Sequence, residues 1–111
     1  MAAVLAKGKT RMFNAAMEPE VDSTIDLLLK MGAKIEGKGS TTLEIEGVEE
    51  LFPVQMEMIP DRIEAGTFLV AAALSTKPVT VCNCNPEHLT ALLEKLRETG
   101  CGLQINGGDI T

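Results

Sequence analysis

Tryptophan and tyrosine are absent from this chain, and phenylalanine occurs three times. With aromatics at 3% of 111 residues, the flat faces on which bases and sugar rings usually stack are missing. The core must therefore be built from Leu, Ile, Val, Ala and Met. Concentrated positive charge is missing too. Ten Lys and Arg stand against sixteen Asp and Glu, a net charge of −6, with no basic run. That excludes nucleic acid as a partner, because phosphate binding needs clustered Lys and Arg. No apolar run approaches the roughly 20 residues that span a bilayer, so no membrane partner is expected. The opening "MAAVLA" is too short for a signal peptide and lacks a charged lead, so a cytoplasmic location is expected. Three cysteines, an odd count, fit reduced thiols better than a disulfide framework.

What is present is apolar enough to fold. At 45% hydrophobic residues, the sequence is able to bury a core as one domain or two small units. Two segments carry helical periodicity. In the first, Val21, Ile25, Leu28 and Leu29 recur on one side, with Asp22, Asp26 and Lys30 opposite. Pro19 suits the first helical position, and Glu18, Glu20 and Asp22 place negative charge at the positive end of the dipole. Gly32 supplies a left-handed stop. In the second, Asn85 is the N-cap and Pro86 takes the first turn. Leu89, Leu92, Leu93 and Leu96 form the stripe, and Gly100 ends it.

The likeness of the two segments extends backwards. Ala2, Ala3, Leu5 and Asn14 fall on Ala71, Ala72, Leu74 and Asn83, each 69 positions later, and Pro19-Glu20 then meets Pro86-Glu87. The order is helix end, strand, capped helix, glycine, strand, twice over. This is an internal duplication of a supersecondary unit. The strands between are short. Thr10 to Asn14 and Val79 to Asn83 are β-prone. "TLEIEG" alternates, with Leu43 and Ile45 on one face and Glu44 and Glu46 on the other. "VQMEMI" alternates through Val54, Met56 and Met58. Gly37 and Gly39 mark a turn between a Lys34–Glu36 strand and the Leu43–Glu46 strand, and "INGGDI" reads as a hairpin. Strands mixed with helices on one face predict an α+β layered unit.

Between the repeats stands "MIPDRIEAGTFLVAAAL", Met58 to Leu74. Asp61 and Glu64 form a capping box, and Pro60 keeps the preceding segment out of the helix. "AGTFLVAAA" is apolar on nearly all sides, which predicts an enclosed helix. Arg62 at its mouth needs an acidic partner or an anionic ligand.

At these residues the chain becomes recognisable. "IPDRIEAGTFLVAAA" together with "NAAMEPEVDSTIDLLLKMGAKIEGKGSTTLEIEGVEEL" closely resembles the enolpyruvyl transferases. The branch resembled is the one that acts on UDP-N-acetylglucosamine in peptidoglycan synthesis. The sister branch of the shikimate pathway carries a Ser-rich helix start where this chain has Asp61-Arg62-Ile63-Glu64. The resemblance implies an α/β prism of βαβαββ-type units arranged in two domains. This chain would supply two consecutive units, the first truncated at its N-terminus. Residues 1–52 would close one domain, and residues 53–111 would hold the crossover and the next unit of the other. The family chain is about four times longer, as a two-domain enzyme requires.

The resemblance also implies what this stretch lacks. The family's reactive Cys lies on a mobile Gly-rich loop followed by Arg-Pro, and none of Cys82, Cys84 or Cys101 has that context. The family's Lys-Asn pair and its later Asp and Arg at the reacting centre fall outside this range. No catalytic residue is therefore assigned, and no cofactor or metal is implied. Glu18 and Glu20 of "EPE", with Asp61, Arg62 and Glu64 of "PDRIE", match interdomain positions that shape a hinge and line a cleft rim. Phosphoenolpyruvate and UDP-N-acetylglucosamine would be ligands of the complete enzyme only. Two functions follow: an inactive portion of the transferase, or a free-standing binding or assembly module. Either exposes apolar helix faces and is expected to self-associate.

The remaining signals are weaker. Cys82 and Cys84 share a strand face and, with His88 and Cys101, offer Cys₃His chemistry. Their spacing is not a usual zinc spacing, so inert thiols are expected. His88, in the first turn of a helix, reads as a solvated surface residue. "GKGS" and "AKGKT" lack the spacing of a phosphate loop and read as turns.

Overall fold

The computed structural model describes all 111 residues as two units, Met1–Met58 and Ile59–Thr111, each with its own core. Unit one opens with a 3-10 turn, Ala2–Leu5, that sinks Val4 to 2% exposure. It continues with β1 (Lys9–Phe13), α1 (Pro19–Lys30), β2 (Lys34–Glu36) and β3 (Thr42–Glu46). The sheet order is β1-β3-β2, and both pairings are antiparallel. β1 and β2 therefore run parallel, joined over α1, with β3 inserted between them as a split βαβ unit.

Alternation explains which residues face inwards. Ile35 pairs Ile45, and Leu43 lies two residues along the same face of β3, so these three meet the Ile25 and Leu28 stripe of α1, while Met12 opposite Leu43 stays 45% exposed. Pro19 occupies the first helical turn, and Gly32 at φ +99 ends α1 as the left-handed stop that only glycine adopts freely. Leu29, expected on the buried stripe, is 38% exposed, one position round the helix from Leu28. Ser23 is buried with its hydroxyl unpartnered, a small standing cost to unit one.

Unit two begins with α2 (Arg62–Ala73). A 3-10 turn, Pro86–Leu89, then runs into α3 (Thr90–Glu98), followed by the hairpin β4 (Ile105–Asn106) and β5 (Asp109–Ile110). Its core joins Ala65 and Leu69 of α2 to Leu89, Leu93 and Leu96, with Cys84 and the fully buried Ile110. Each fully buried leucine contributes about 1.5–3 kcal/mol, so the α3 stripe is the largest single contribution to this small core. Val81 bridges Ile110, and Gln104 and Thr111 exchange both backbone bonds. The pairing order is thus Val81, then β5, then β4, the same as β1-β3-β2.

Three expectations need correction. Val79 to Asn83 is not a strand but one bridge at Val81, because its partner β5 is two residues long. Val54 to Met58 forms no strand: no neighbouring strand takes up its backbone, and alternation alone cannot hold an extended segment. The α2 helix is not enclosed within this chain. Ala65, Gly66 and Leu69 are buried, while Phe68 is 56% and Leu74 86% exposed.

The outer face of the unit-one sheet carries charge of both signs. Glu44 accepts from Lys9 Nζ at 3.0 Å and from Arg11 Nη2 at 2.7 Å and Nε at 3.1 Å. Glu46 accepts from Lys34 Nζ at 2.9 Å. Hydrogen bonds from Arg11 and then Lys9 hold the Glu44 carboxyl below its ordinary value, and Lys34 does the same for Glu46. The Glu44 hydrogen bond also raises Lys9. A carboxyl lowered by folding adds stability that is present above the unfolded value, about pH 4.3, and lost as pH falls through the folded one. Glu44→Gln should therefore lower the denaturation midpoint at neutral pH. The gap to the parent protein should narrow as pH falls through the lowered Glu44 value, as urea titrations across the acid range would show.

Candidate functional site

The charged residues singled out in the sequence stand at two helix starts, one in each unit. At the start of α1, Glu18 is the capping residue, with extended backbone (φ −67, ψ 151) and no cap bond from its carboxylate. Its carbonyl accepts from Val21 N–H at 2.9 Å and Asp22 N–H at 3.3 Å. Glu20 lies in the first turn, and its carbonyl accepts the Thr24 hydroxyl at 2.8 Å. Both residues are exposed, and their charge lies at the positive end of the helix dipole.

At the start of α2, Asp61 caps through its carboxylate. Its Oδ1 accepts from Ile63 N–H at 2.8 Å and Glu64 N–H at 3.1 Å. Asp61 and Glu64 are exposed, and Arg62 is half-buried. The "PDRIE" sequence therefore fixes the helix start with its aspartate and turns the arginine inwards.

Arg62 reaches a groove of about 550 Å³ within unit two. Ile63, Thr67 and Val70 of α2 form one wall, and Leu89 and Leu92 form the other. Gly66 sets its depth, since a Cβ there would stand 3.0 Å from Leu92 Cδ2. His88 lines the same groove, which corrects the expectation of a solvated residue: it is half-buried, with Nδ1 buried and unpartnered. Asn85 explains this. Its Oδ1 accepts from Glu87 N–H at 3.1 Å, so its Nδ2 donates to His88 Nε2 at 3.1 Å. The N-cap thus turns the imidazole inwards, with Nε2 as the acceptor.

The thiols are separate from this groove. Cys82 is exposed, Cys84 buried and Cys101 half-buried. Burial first, then Cys82 and Asp109, push the Cys84 thiol up, which suppresses its thiolate. No three His, Cys, Asp or Glu residues stand together in a way that could hold a metal. Gly37 to Ser40 is a turn closed by Ser40 N–H on the Gly37 carbonyl at 3.0 Å, and Lys38 within it pairs with Asp26. The sequence alone did not single out the Lys9–Glu44–Arg11 cluster. Its signal is the charge alternation of "KTR" against "LEIE", which becomes legible once the register is known.

Unit one is thus a split βαβ sheet, and unit two repeats its pairing order with one bridge and a two-stranded hairpin. The sequence profile described as EPSP synthase (3-phosphoshikimate 1-carboxyvinyltransferase) matches residues 1–111, and the chain belongs to that family. Among curated relatives it is 54% identical over 111 residues to the UDP-N-acetylglucosamine 1-carboxyvinyltransferase of Chloroherpeton thalassium. It is 56% identical over 110 residues to the protein of that name from Myxococcus xanthus. It covers 100% and 99% of itself in these matches, and spans 26% of each relative's length. Among solved structures, the enolpyruvyl transferase NikO from Streptomyces tendae superposes with a TM-score of 0.80 at 25% identity. That match covers 98% of this protein and 27% of that one. No helix is long and apolar enough to cross a membrane.

The cap makes a direct prediction. Asp61→Ala removes the acceptor for two N–H groups at the α2 start and should cost about 1 kcal/mol of unfolding free energy. Asp61→Asn should recover most of it in the same denaturation series.

Proposed function

We propose that the chain is a portion of a UDP-N-acetylglucosamine 1-carboxyvinyltransferase. The complete enzyme would transfer the enolpyruvyl group of phosphoenolpyruvate to UDP-N-acetylglucosamine in the cytoplasm, for peptidoglycan synthesis. The observation that carries this reading is identity above 50% along essentially the whole sequence to relatives of that name. In this reading residues 1–52 close one prism domain, and residues 53–111 hold the crossover and the next unit of the other. Glu18, Glu20, Asp61, Arg62 and Glu64 serve the hinge and rim of the cleft between those domains.

The chain is inactive alone. The reaction needs a proton donor, a base and a cationic clamp for the departing phosphate in one place. The cysteines present lack the Gly-rich loop context of the family's reactive one, and the buried Cys84 thiol is held protonated. Phosphate release from phosphoenolpyruvate and UDP-N-acetylglucosamine tests this. The chain alone should release none, and adding the remaining portions of a relative should restore turnover. Turnover by the chain alone would overturn the reading.

The exposure of Ile63, Phe68, Val70 and Leu74 along α2 supports a second reading, a non-catalytic module that assembles through this face. In either case the isolated protein should sediment as a dimer or larger species at high concentration. A strictly monomeric boundary would contradict the role given to that face.

A further inference from the structure

We propose that Asn106-Gly107 is a self-modifying site, at which unit two converts an asparagine to aspartate and isoaspartate and thereby loosens its own hairpin. The chemistry uses the protein and water alone. The Gly107 backbone nitrogen attacks Cγ of Asn106. A new N–C bond closes a five-membered succinimide, the bond from Cγ to Nδ2 breaks, and the amide leaves as ammonia, taking up the proton lost from Gly107 N–H. Water then opens the ring at either carbonyl, leaving a carboxylate on an aspartyl or an isoaspartyl linkage. The step needs an unhindered next residue with an untethered N–H, and a segment free to bend.

The four asparagines of the sequence differ in those respects. Asn85 precedes proline, which has no N–H to attack with. Asn14 and Asn83 precede residues whose N–H groups are tied. Ala15 N–H donates to the Thr41 carbonyl at 2.9 Å, and Cys84 N–H to the Gly108 carbonyl at 2.6 Å. Asn106 alone precedes glycine. Gly107 lies in the turn at φ +60, has no atom within 4 Å of where a Cβ would be, and its N–H donates to no carbonyl. Both residues are exposed, and strands of two residues each open readily.

The position gives the reaction a consequence. Asn106 pairs across the hairpin with Asp109, so a carboxylate at 106 faces a carboxylate at 109. Asp109 Oδ1 accepts Asn83 N–H at 3.2 Å and so steadies the turn before Cys84. An isoaspartyl linkage also adds a carbon to the backbone, which shifts the register that holds Ile110, fully buried, against Val81. The modification thus acts on the core of unit two from its surface.

Timed incubation of the intact protein at mildly alkaline pH, followed by peptide mapping, tests the proposal. Each conversion adds one dalton, and isoaspartate accepts a methyl group from protein isoaspartyl methyltransferase. The peptide bearing Asn106 should convert ahead of those bearing Asn14 and Asn83, and methyl acceptance should rise in step. Asn106→Gln, which would need a slower six-membered ring, should abolish both while keeping the parent circular dichroism. Amide exchange at Ile110 should accelerate in the aged parent and not in the variant. Retention of Asn106 while Asn14 or Asn83 converts, or equal methyl acceptance by Asn106→Gln, would overturn the site. Unchanged exchange at Ile110 after conversion would overturn the coupling to the core.

Discussion

Each repeat depends on one backbone constraint, a single asparagine held in the left-handed conformation where the first extended segment must stop. Asn14 has φ 55 and Asn83 has φ 56, and these are the two non-glycine residues with positive φ in the chain. The residue after each donates its N–H to the loop before the last strand of its repeat: Ala15 to Thr41, and Cys84 to Gly108. That geometry costs an ordinary L-residue roughly 1–2 kcal/mol, and asparagine tolerates it better than most. With the turn in place, the backbone leaves the sheet and reaches a proline-started helix lying over it. Without it, the first extended segment would run on past its partner.

The helix between the repeats shows the opposite situation, sequence chemistry without a completed environment. From Ala65 to Thr76 α2 and its exit carry no charge, yet one stripe alone is covered inside this chain. Close approach at Gly66 lets Leu89 and Leu92 nest on that stripe, and the remaining apolar surface faces outwards. The chain spans 26% of the length of the relative from Chloroherpeton thalassium. Arg62 at the start of α2 and His88 in the 3-10 turn Pro86–Leu89 are both half-buried and line one apolar groove. The caps on Asp61 and Asn85 put them there, so local hydrogen bonding at two helix starts sets the polarity of the groove.

What the sequence made legible was the local chemistry. Pro19 and Pro86 opened their helices, Gly32 and Gly100 closed them in left-handed conformation, and Asp61 capped α2 as its spacing implied. The 69-residue offset placed Asn14 on Asn83, and the structure returns matching φ values there. What was not legible depends on partners distant in sequence. The alternation at Val54, Met56 and Met58 looks like a strand, but a strand exists through its neighbour. "AGTFLVAAA" encodes a helix apolar all round without saying how much of its cover lies in these 111 residues. The burial of His88 is set by the Asn85 amide that holds its ring, which a place at a helix start does not reveal.

If the left-handed asparagine is the shared device, each repeat should respond to the same pair of substitutions. Denaturation midpoints of Asn14→Gly and Asn14→Ala, and of Asn83→Gly and Asn83→Ala, measure this directly. Glycine should hold the parent stability within a few tenths of a kcal/mol, and alanine should lose about 1 kcal/mol, at both positions. Equal tolerance of alanine and glycine at either asparagine would contradict the account.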